Sequence, residues 1–230
     1  MSRRELSPHD LGLPLPADRT QNRSDFPELG KTSLFPRTTR RQERIDAVLT
    51  RRQPSLTVVL EDAHDPHNVS AVLRSCDAVG VLDVHLVYVH DQPPRKSLNR
   101  TTSGSAAKWV RTHFHESIDA CFGMLRLREF RIFAAGRRAD TVDLYALDLV
   151  APIALVFGNE QRGVSDHATS LADGTVGIPM QGMVESLNIS VACAVSLYEA
   201  MRQRRFAGMY ETPQLSEDER EALSHGWIGK

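Results

Sequence analysis

Two hydrophobic periods alternate along this chain, and the places where one gives way to the other mark its elements. Residues 1–39 keep no period and are rich in Pro, Ser, Thr, Asp and Arg, which predicts an N-terminal extension, mobile when free. From Thr39 the pattern turns helical. Ile45, Val48 and Leu49 share one face while Arg40, Arg41, Arg44, Arg51 and Arg52 surround it, predicting a basic helix over 40–53. A β-branched run at 56–60 then predicts a strand. A polar loop leads into a helix opened by Asp65 or Asn68, with Val69, Val72, Leu73 and Val79 on its apolar face and Gly80 as its stop. A second strand follows at 84–89. This strand–helix–strand order is a βαβ unit, so the sheet is expected to be parallel with ligands at the strands' C-terminal ends. A helix over 117–129, a strand at 130–135 closed by Gly136, and a strand at 153–157 running into Gly158-Asn-Glu-Gln-Arg-Gly163 complete the middle of the chain.

The last patterned stretch has the most distinctive chemistry. A short run at 175–178 must end at Pro179, which cannot donate to a ladder, and Gly182 lets the chain turn. Ser186 or Asn188 then caps a helix with Ile189, Val191, Ala192, Cys193, Ala194, Val195 and Leu197 almost all round, the composition of a buried helix. Its last turn carries Arg202, Arg204 and Arg205, placed to meet an anion, and Gly208 ends it. A polar loop feeding a buried helix is a candidate ligand site. Residues 206–230 are expected as a C-terminal tail or helix, acidic after Tyr210.

Composition adds bounds. With 230 residues and 41% hydrophobic, the chain suits one domain of ordinary size plus appendages. No window is apolar enough to span a bilayer and no apolar segment backs the N-terminal charges, so no membrane partner is expected and a cytoplasmic location is. Cys76, Cys121 and Cys193 are too scattered for a disulfide framework or a metal site and are expected as reduced, buried thiols. Net charge is −1, but Lys31, Lys96, Lys108 and Lys230 are the only lysines, so the basic side is overwhelmingly Arg. Arg is the better phosphate fork; a general preference for Arg codons explains the same bias. The basic helix likewise has two readings, a solvated face or a grip on an RNA backbone.

Spacing argues against several chemistries. Gly158 to Gly163 begins like a phosphate-binding P-loop, but Val164-Ser165 stands where Lys-Ser/Thr is required. No G-x-G-x-x-G follows a strand, which removes the usual dinucleotide-binding enzymes. His64 and His67 lack a third ligand, and Ser186 has no local His-Asp partners. The segment 99–110, with Arg100 and Lys108 around Thr, Ser and Gly, is either a phosphate site or a turn.

Three ordered stretches carry a resemblance. Glu61-Asp-Ala-His-Asp-Pro-His-Asn-Val-Ser-Ala-Val-Leu-Arg-Ser-Cys-Asp-Ala-Val-Gly80, Leu155-Val-Phe-Gly-Asn-Glu-Gln-Arg-Gly-Val-Ser165 and Ile178-Pro-Met-Gln-Gly-Met-Val-Glu-Ser-Leu-Asn-Ile-Ser-Val-Ala192 resemble the motifs of the SpoU branch of the SPOUT RNA methyltransferases. The likeness covers residues 40–210 and is strongest to the TrmH group, which methylates the ribose 2′-hydroxyl of the D-loop guanosine Gm18 in tRNA. It implies an α/β fold, a mostly parallel sheet with helices on both faces, forming a methyltransferase domain over 54–205 whose part 153–205 is a deep trefoil knot. Patterning alone predicts an open sheet, since knots are rare.

By the same resemblance, Ala135, Gly158, Asn159, Glu160, Ile178, Met180, Leu187 and Asn188 bind S-adenosylmethionine. Arg74, Asn68, Glu160, Ser186 and Asn188 form the catalytic site, and Arg44, Arg52, His67, Lys108, Arg202 and Arg204 contact tRNA. Gly158 and Gly182 are then expected to leave room for the cofactor against backbone. The family's proposal makes Arg74 the general base. Guanidinium is in general always protonated, so we expect Arg74 instead to hold the neighbouring phosphate and favour the forming alkoxide. A homodimer with the C-terminal helix against its mate is implied, and no metal is required. A SpoU enzyme acting on ribosomal RNA or another tRNA site is the alternative, and an RNA-binding protein without catalysis the third reading.

Overall fold

The computed structural model describes residues 37–89 and 108–228. Contacts divide the chain into Met1–Thr38 and Thr39–Lys230, and the fold is that of the second unit. The segment 99–107, read above as a phosphate site or a turn, and the extension up to residue 36 lie outside the described residues.

Seven strands make one sheet: β1 (Leu56–Glu61), β2 (Asp83–Val87), β3 (Arg111–His115), β4 (Arg131–Ala135), β5 (Val142–Asp143), β6 (Ile153–Phe157) and β7 (Gly174–Gly177). Their order is β3-β2-β1-β6-β4-β7-β5, and every pairing is parallel. The helices are α1 (Arg37–Leu49), α2 (Pro66–Val79), α3 (Ile118–Leu127), α4 (Asp166–Leu171), α5 (Ile189–Phe206) and α6 (Glu217–Ile228). A parallel sheet needs helices on both faces, and the strand sequences answer to that requirement: all of β1 and β6 is buried. Val58 and Leu60 join Val72 and Leu73 of α2 and Cys193 and Leu197 of α5 in one core. Val59, between them, points the other way and joins Cys121, Phe122 and Leu125 of α3 and Ala168 of α4.

Local chemistry sets the helix ends. Asp65 caps α2 by accepting from the His67 amide, Pro66 opens the first turn, and Gly80 closes it at φ 88°. A Cβ on Gly80 would also sit 2.7 Å from the Arg51 carbonyl oxygen, so any other residue is excluded twice. Ser117 caps α3, and Asn188 rather than Ser186 caps α5.

Helix α5 is not buried all round. Ile189, Cys193, Ser196, Leu197, Ala200 and Arg204 form its buried face, while Val191 and Tyr198 are 46% and 49% exposed. Its small residues admit close packing against α2 on one side, and among the described residues the side carrying Val191 and Tyr198 stays half-exposed. A third core, built from Ile45 and Leu49 of α1, Leu82, Leu215 and Trp227 of α6, fastens the two ends of the described chain together.

Candidate active site

The loops that follow β4, β6 and β7 meet at the C-terminal edge of the sheet, where the strand order brings β4 between β6 and β7. They enclose an open cleft of about 560 Å³. All eight residues expected to bind the cofactor line it: Ala135, Gly158, Asn159, Glu160, Ile178, Met180, Leu187 and Asn188, with Ser186 among them. Phe157, Ile189 and Ala192 supply further apolar wall, and Glu185 further acid.

Gly158 is small for a reason other than cofactor access. The Asn159 amide donates to the Gly163 carbonyl at 3.0 Å and the Gly163 amide returns the bond at 2.8 Å, closing a tight loop. A Cβ on Gly158 would lie 2.0 Å from the Gly163 carbonyl carbon, so the loop itself excludes a side chain there. Nothing among the described residues lies within 4 Å of a Cβ built on Gly182. The loop is braced from β1. The Asn159 side chain donates to the Asp62 carbonyl at 2.9 Å, and the Glu61 carboxylate accepts from the Ser165 amide at 2.8 Å and its hydroxyl at 2.6 Å. Asp62 stands at φ 48°, and its carboxylate accepts from the Val89 amide at 2.8 Å. Glu61 and Asp62 were missed as site residues; the signal was an acidic pair ending an otherwise apolar strand.

A short polar chain joins α2, the β6 loop and α5. Asn68 donates from Nδ2 to Glu160 at 3.0 Å, and its Oδ1 accepts from Asn188 Nδ2 at 3.2 Å. The Asn188 Oδ1 accepts from the Ser190 amide and hydroxyl at 2.9 and 2.6 Å, as the helix cap. Burial pushes the Glu160 carboxyl up, but hydrogen bonds from Asn68 and from the backbone amides of Glu160, His64 and Asp65 outweigh it and hold the carboxyl below its ordinary value. Glu160 is thus kept ionised at the cleft wall.

Arg74 is not part of this cluster. It lies six residues beyond Asn68 on α2, roughly 9 Å along the axis and on an exposed side, and it makes no hydrogen bond or ion pair with a described residue. The structure therefore joins Asn68, Glu160 and Asn188, puts Ser186 in the same cleft, and leaves Arg74 outside.

The residues expected at tRNA divide sharply. Arg44 and His67 are exposed, and Lys108 is half-buried. Arg202 is half-exposed, with its guanidinium paired to Glu199 at 2.8 and 2.7 Å. Arg52 and Arg204 are fully buried, which removes them from any RNA contact. Arg52 donates to the Val81 carbonyl at 3.0 Å and to Asp77 at 2.6 Å, and lies over the Trp227 ring. Arg204 donates to the carbonyls of Leu149, Ser55 and Ala151 and to the side chains of Ser55 and Gln53. Burial pulls the Arg204 pKa down to about 10. Both guanidiniums tie loops together where a phosphate had been expected.

The cleft suits S-adenosylmethionine on its own chemistry. Ile178, Met180, Leu187 and Ala192 offer apolar surface to an adenosine, while the ionised Glu160 beside them suits a cationic sulfonium. Among the described residues no helix is long and apolar enough to cross a membrane.

Comparison with known proteins agrees with the cleft. The model of the SpoU rRNA Methylase family matches residues 55–198. The chain is 47% identical over 194 residues to a tRNA (guanosine(18)-2′-O)-methyltransferase of Thermus thermophilus, covering 84% of this chain and 98% of that one. To the protein of that name from Escherichia coli K12 it is 42% identical over 187 residues, covering 80% of each. Among solved structures, the Aquifex aeolicus TrmH/SpoU tRNA modifying enzyme superposes with a TM-score of 0.76 at 37% identity, over 84% of this chain and 96% of that one. The SpoU methyltransferase AviRb of Streptomyces viridochromogenes, solved in complex with AdoMet, superposes with a TM-score of 0.59 at 25% identity, over 68% of this chain and 64% of that one. A parallel sheet whose C-terminal edge carries this cleft, matched across most of its length by that model and those enzymes, belongs to the SpoU methylase family.

Proposed function

We propose that this chain transfers a methyl group from S-adenosylmethionine to the ribose 2′-hydroxyl of guanosine 18 in the D-loop of tRNA. The observation that carries this reading is the 47% identity spanning 98% of a Thermus enzyme named for that reaction. The polar chain Asn68–Glu160–Asn188 at the cleft wall supports it independently.

When bound, the cofactor supplies an electrophilic methyl group. The chain's own residues do the rest. Ile178, Met180, Leu187 and the backbone around Ala135 and Gly158 hold the adenosine, while the Glu160 carboxylate favours the cationic end. Asn68 locks Glu160 and Asn188 in one arrangement, so the cofactor loop and the start of α5 move together. The attacking hydroxyl must be oriented in line with the methyl group and must lose its proton. Arg74 holds the phosphate beside that ribose, and its positive charge favours the developing alkoxide. In this reading residues 153–205 are threaded as a deep trefoil knot, and two copies pair through the exposed side of α5, with one active site drawing on both. Arg74 is exposed and has no described partner, which suits such sharing. Arg44, His67, Lys108 and Arg202 contact the tRNA backbone, and the enzyme works in the cytoplasm.

The deciding experiment is transfer of labelled methyl from S-adenosylmethionine to unmodified tRNA, mapped by nuclease digestion and mass spectrometry, beside Arg74→Ala. A 2′-O-methylguanosine in the D-loop, lost in the variant, is the expected result. Transfer to ribosomal RNA alone would replace the substrate, and a folded chain that binds no cofactor would remove the enzyme.

A further inference from the structure

A group of residues on the far edge of the sheet takes no part in this chemistry. In β2 and β3 the register pairs His85 with His113 and Val87 with His115. Side chains two apart on a strand share a face, so Asp83 and His85 of β2 and Arg111, His113 and His115 of β3 all point to one side. Helix α3 covers that side and contributes the fully buried Cys121. One ring nitrogen of His85, one of His115 and the Cys121 sulfur lie within 4.8 Å of one another.

We propose that His85, His115 and Cys121 form a binding site for a divalent transition-metal cation, best suited to zinc, that ties the edge strand β3 and helix α3 to β2. Two features support the assignment. The donor set, two imidazoles and one thiolate, is that of borderline metals, and with no carboxylate among the three it does not suit magnesium or calcium. The spacing is close to that of a coordination sphere: donor atoms bound at about 2.0–2.3 Å to one tetrahedral ion stand about 3.3–3.8 Å apart, so the widest separation, at most 4.8 Å, has to close by only about 1 Å. His85 is 1% exposed, and its Nδ1, 3.0 Å from His115 Nε2, is the nitrogen turned toward the other donors.

A hydrogen-bonded histidine pair is the simpler account of this cluster, but it leaves the Cys121 sulfur beside it unused, whereas an ion held by His85 Nδ1 and His115 Nε2 engages all three donors. On the open side, His115 is half-buried, leaving a fourth position for water. Around the site, Asp83 accepts from Arg111 at 2.8 and 2.7 Å and lies 2.7 Å from His113 Nε2, and the His113 ring stacks on His85 at 5.1 Å. Such an outer layer fixes ring orientation. On binding, the imidazoles enter neutral and the Cys121 thiol releases one proton to solvent as its sulfur–metal bond forms. Sequence spacing gave no hint of this, since the three residues come from two strands and a helix.

The test uses the full chain, stripped with a chelator, dialysed and titrated with cobalt(II). We expect a thiolate-to-cobalt charge-transfer band and intense visible bands of a tetrahedral site, saturating at a single equivalent and bleached by zinc. Cys121→Ser loses the charge-transfer band. His115→Gln, at the half-buried edge where folding is least at risk, lowers zinc affinity by at least about 10-fold and removes the zinc-dependent rise in Tm. A folded wild-type chain with no charge-transfer band, a band that survives Cys121→Ser, or an unchanged zinc affinity in His115→Gln would each overturn the proposal.

Discussion

The two ends of α5 use polar groups in opposite ways. At its start, Asn188 caps the helix, reaches Asn68 and faces an open cleft. At its end, Arg204 is fully buried and gives five hydrogen bonds to Leu149, Ala151, Ser55 and Gln53. One end presents chemistry to a ligand; the other consumes its chemistry inside the fold. The contrast extends to Arg74 and Arg52, of which the first is exposed without a described partner and the second is sealed beneath Trp227. An arginine's role is decided by where its guanidinium is satisfied.

Substitutions at each end sharpen that contrast. The largest stability effect is expected at Arg204→Ala, which strands several buried carbonyls and should cost about 3–5 kcal/mol in chemical denaturation, with Lys a poor rescue because it lacks the planar fork. A loss below about 1 kcal/mol would show that the buried network is slack. Arg74→Ala should do the reverse: stability within about 0.5 kcal/mol of the parent, and methyl transfer reduced by roughly 10²–10³ in single-turnover assays. If the two losses trade places, the division drawn here between structural and catalytic arginines is mistaken.

Gly158→Ala should come next, costing about 1–3 kcal/mol and weakening cofactor binding measured by calorimetry, because the added Cβ cannot coexist with the Gly163 carbonyl. The pH dependence of Glu160 is a finer probe. Its folded-state pKa lies below the ordinary carboxylate value, so its contribution is complete above that ordinary value and is lost as pH falls through the depressed one. Cofactor affinity should therefore fall on acidification in that window, and the acid limb should vanish in Glu160→Gln. The smallest effect is expected at Arg44→Ala, which should lower the salt dependence of tRNA binding by about one unit of slope, while a folded Arg52→Ala leaves the slope unchanged.

Much of the fold was legible from local pattern, and the misses have a common cause. The strand expected at 153–157 is β6 as found, and Asp65, Ser117 and Gly80 mark helix ends by chemistry that acts within one turn. Strand β3, Arg-Thr-His-Phe-His, was not anticipated because it is an exposed edge with no apolar alternation. Strand β5 has two residues and α4 six, too few to establish a period. Residues 206–230 were read as a tail or a helix without bounds, since the anchoring of α6 rests on Trp227 meeting α1, far away in the chain.

The sequence by itself determined the parallel α/β order, the helix caps, the residues of the cleft and, through its motifs, the family. These follow from short-range sterics, from hydrophobic period and from residue strings that recur as units. Only the tertiary structure decided that Gly158 closes its own loop, that Glu160 is held by Asn68, that Arg52 and Arg204 are internal, and that His85, His115 and Cys121 meet. Each of these depends on strand register or helix packing between distant residues, and burial, which sets whether a charged group serves the fold or a ligand, exists only once the chain has folded.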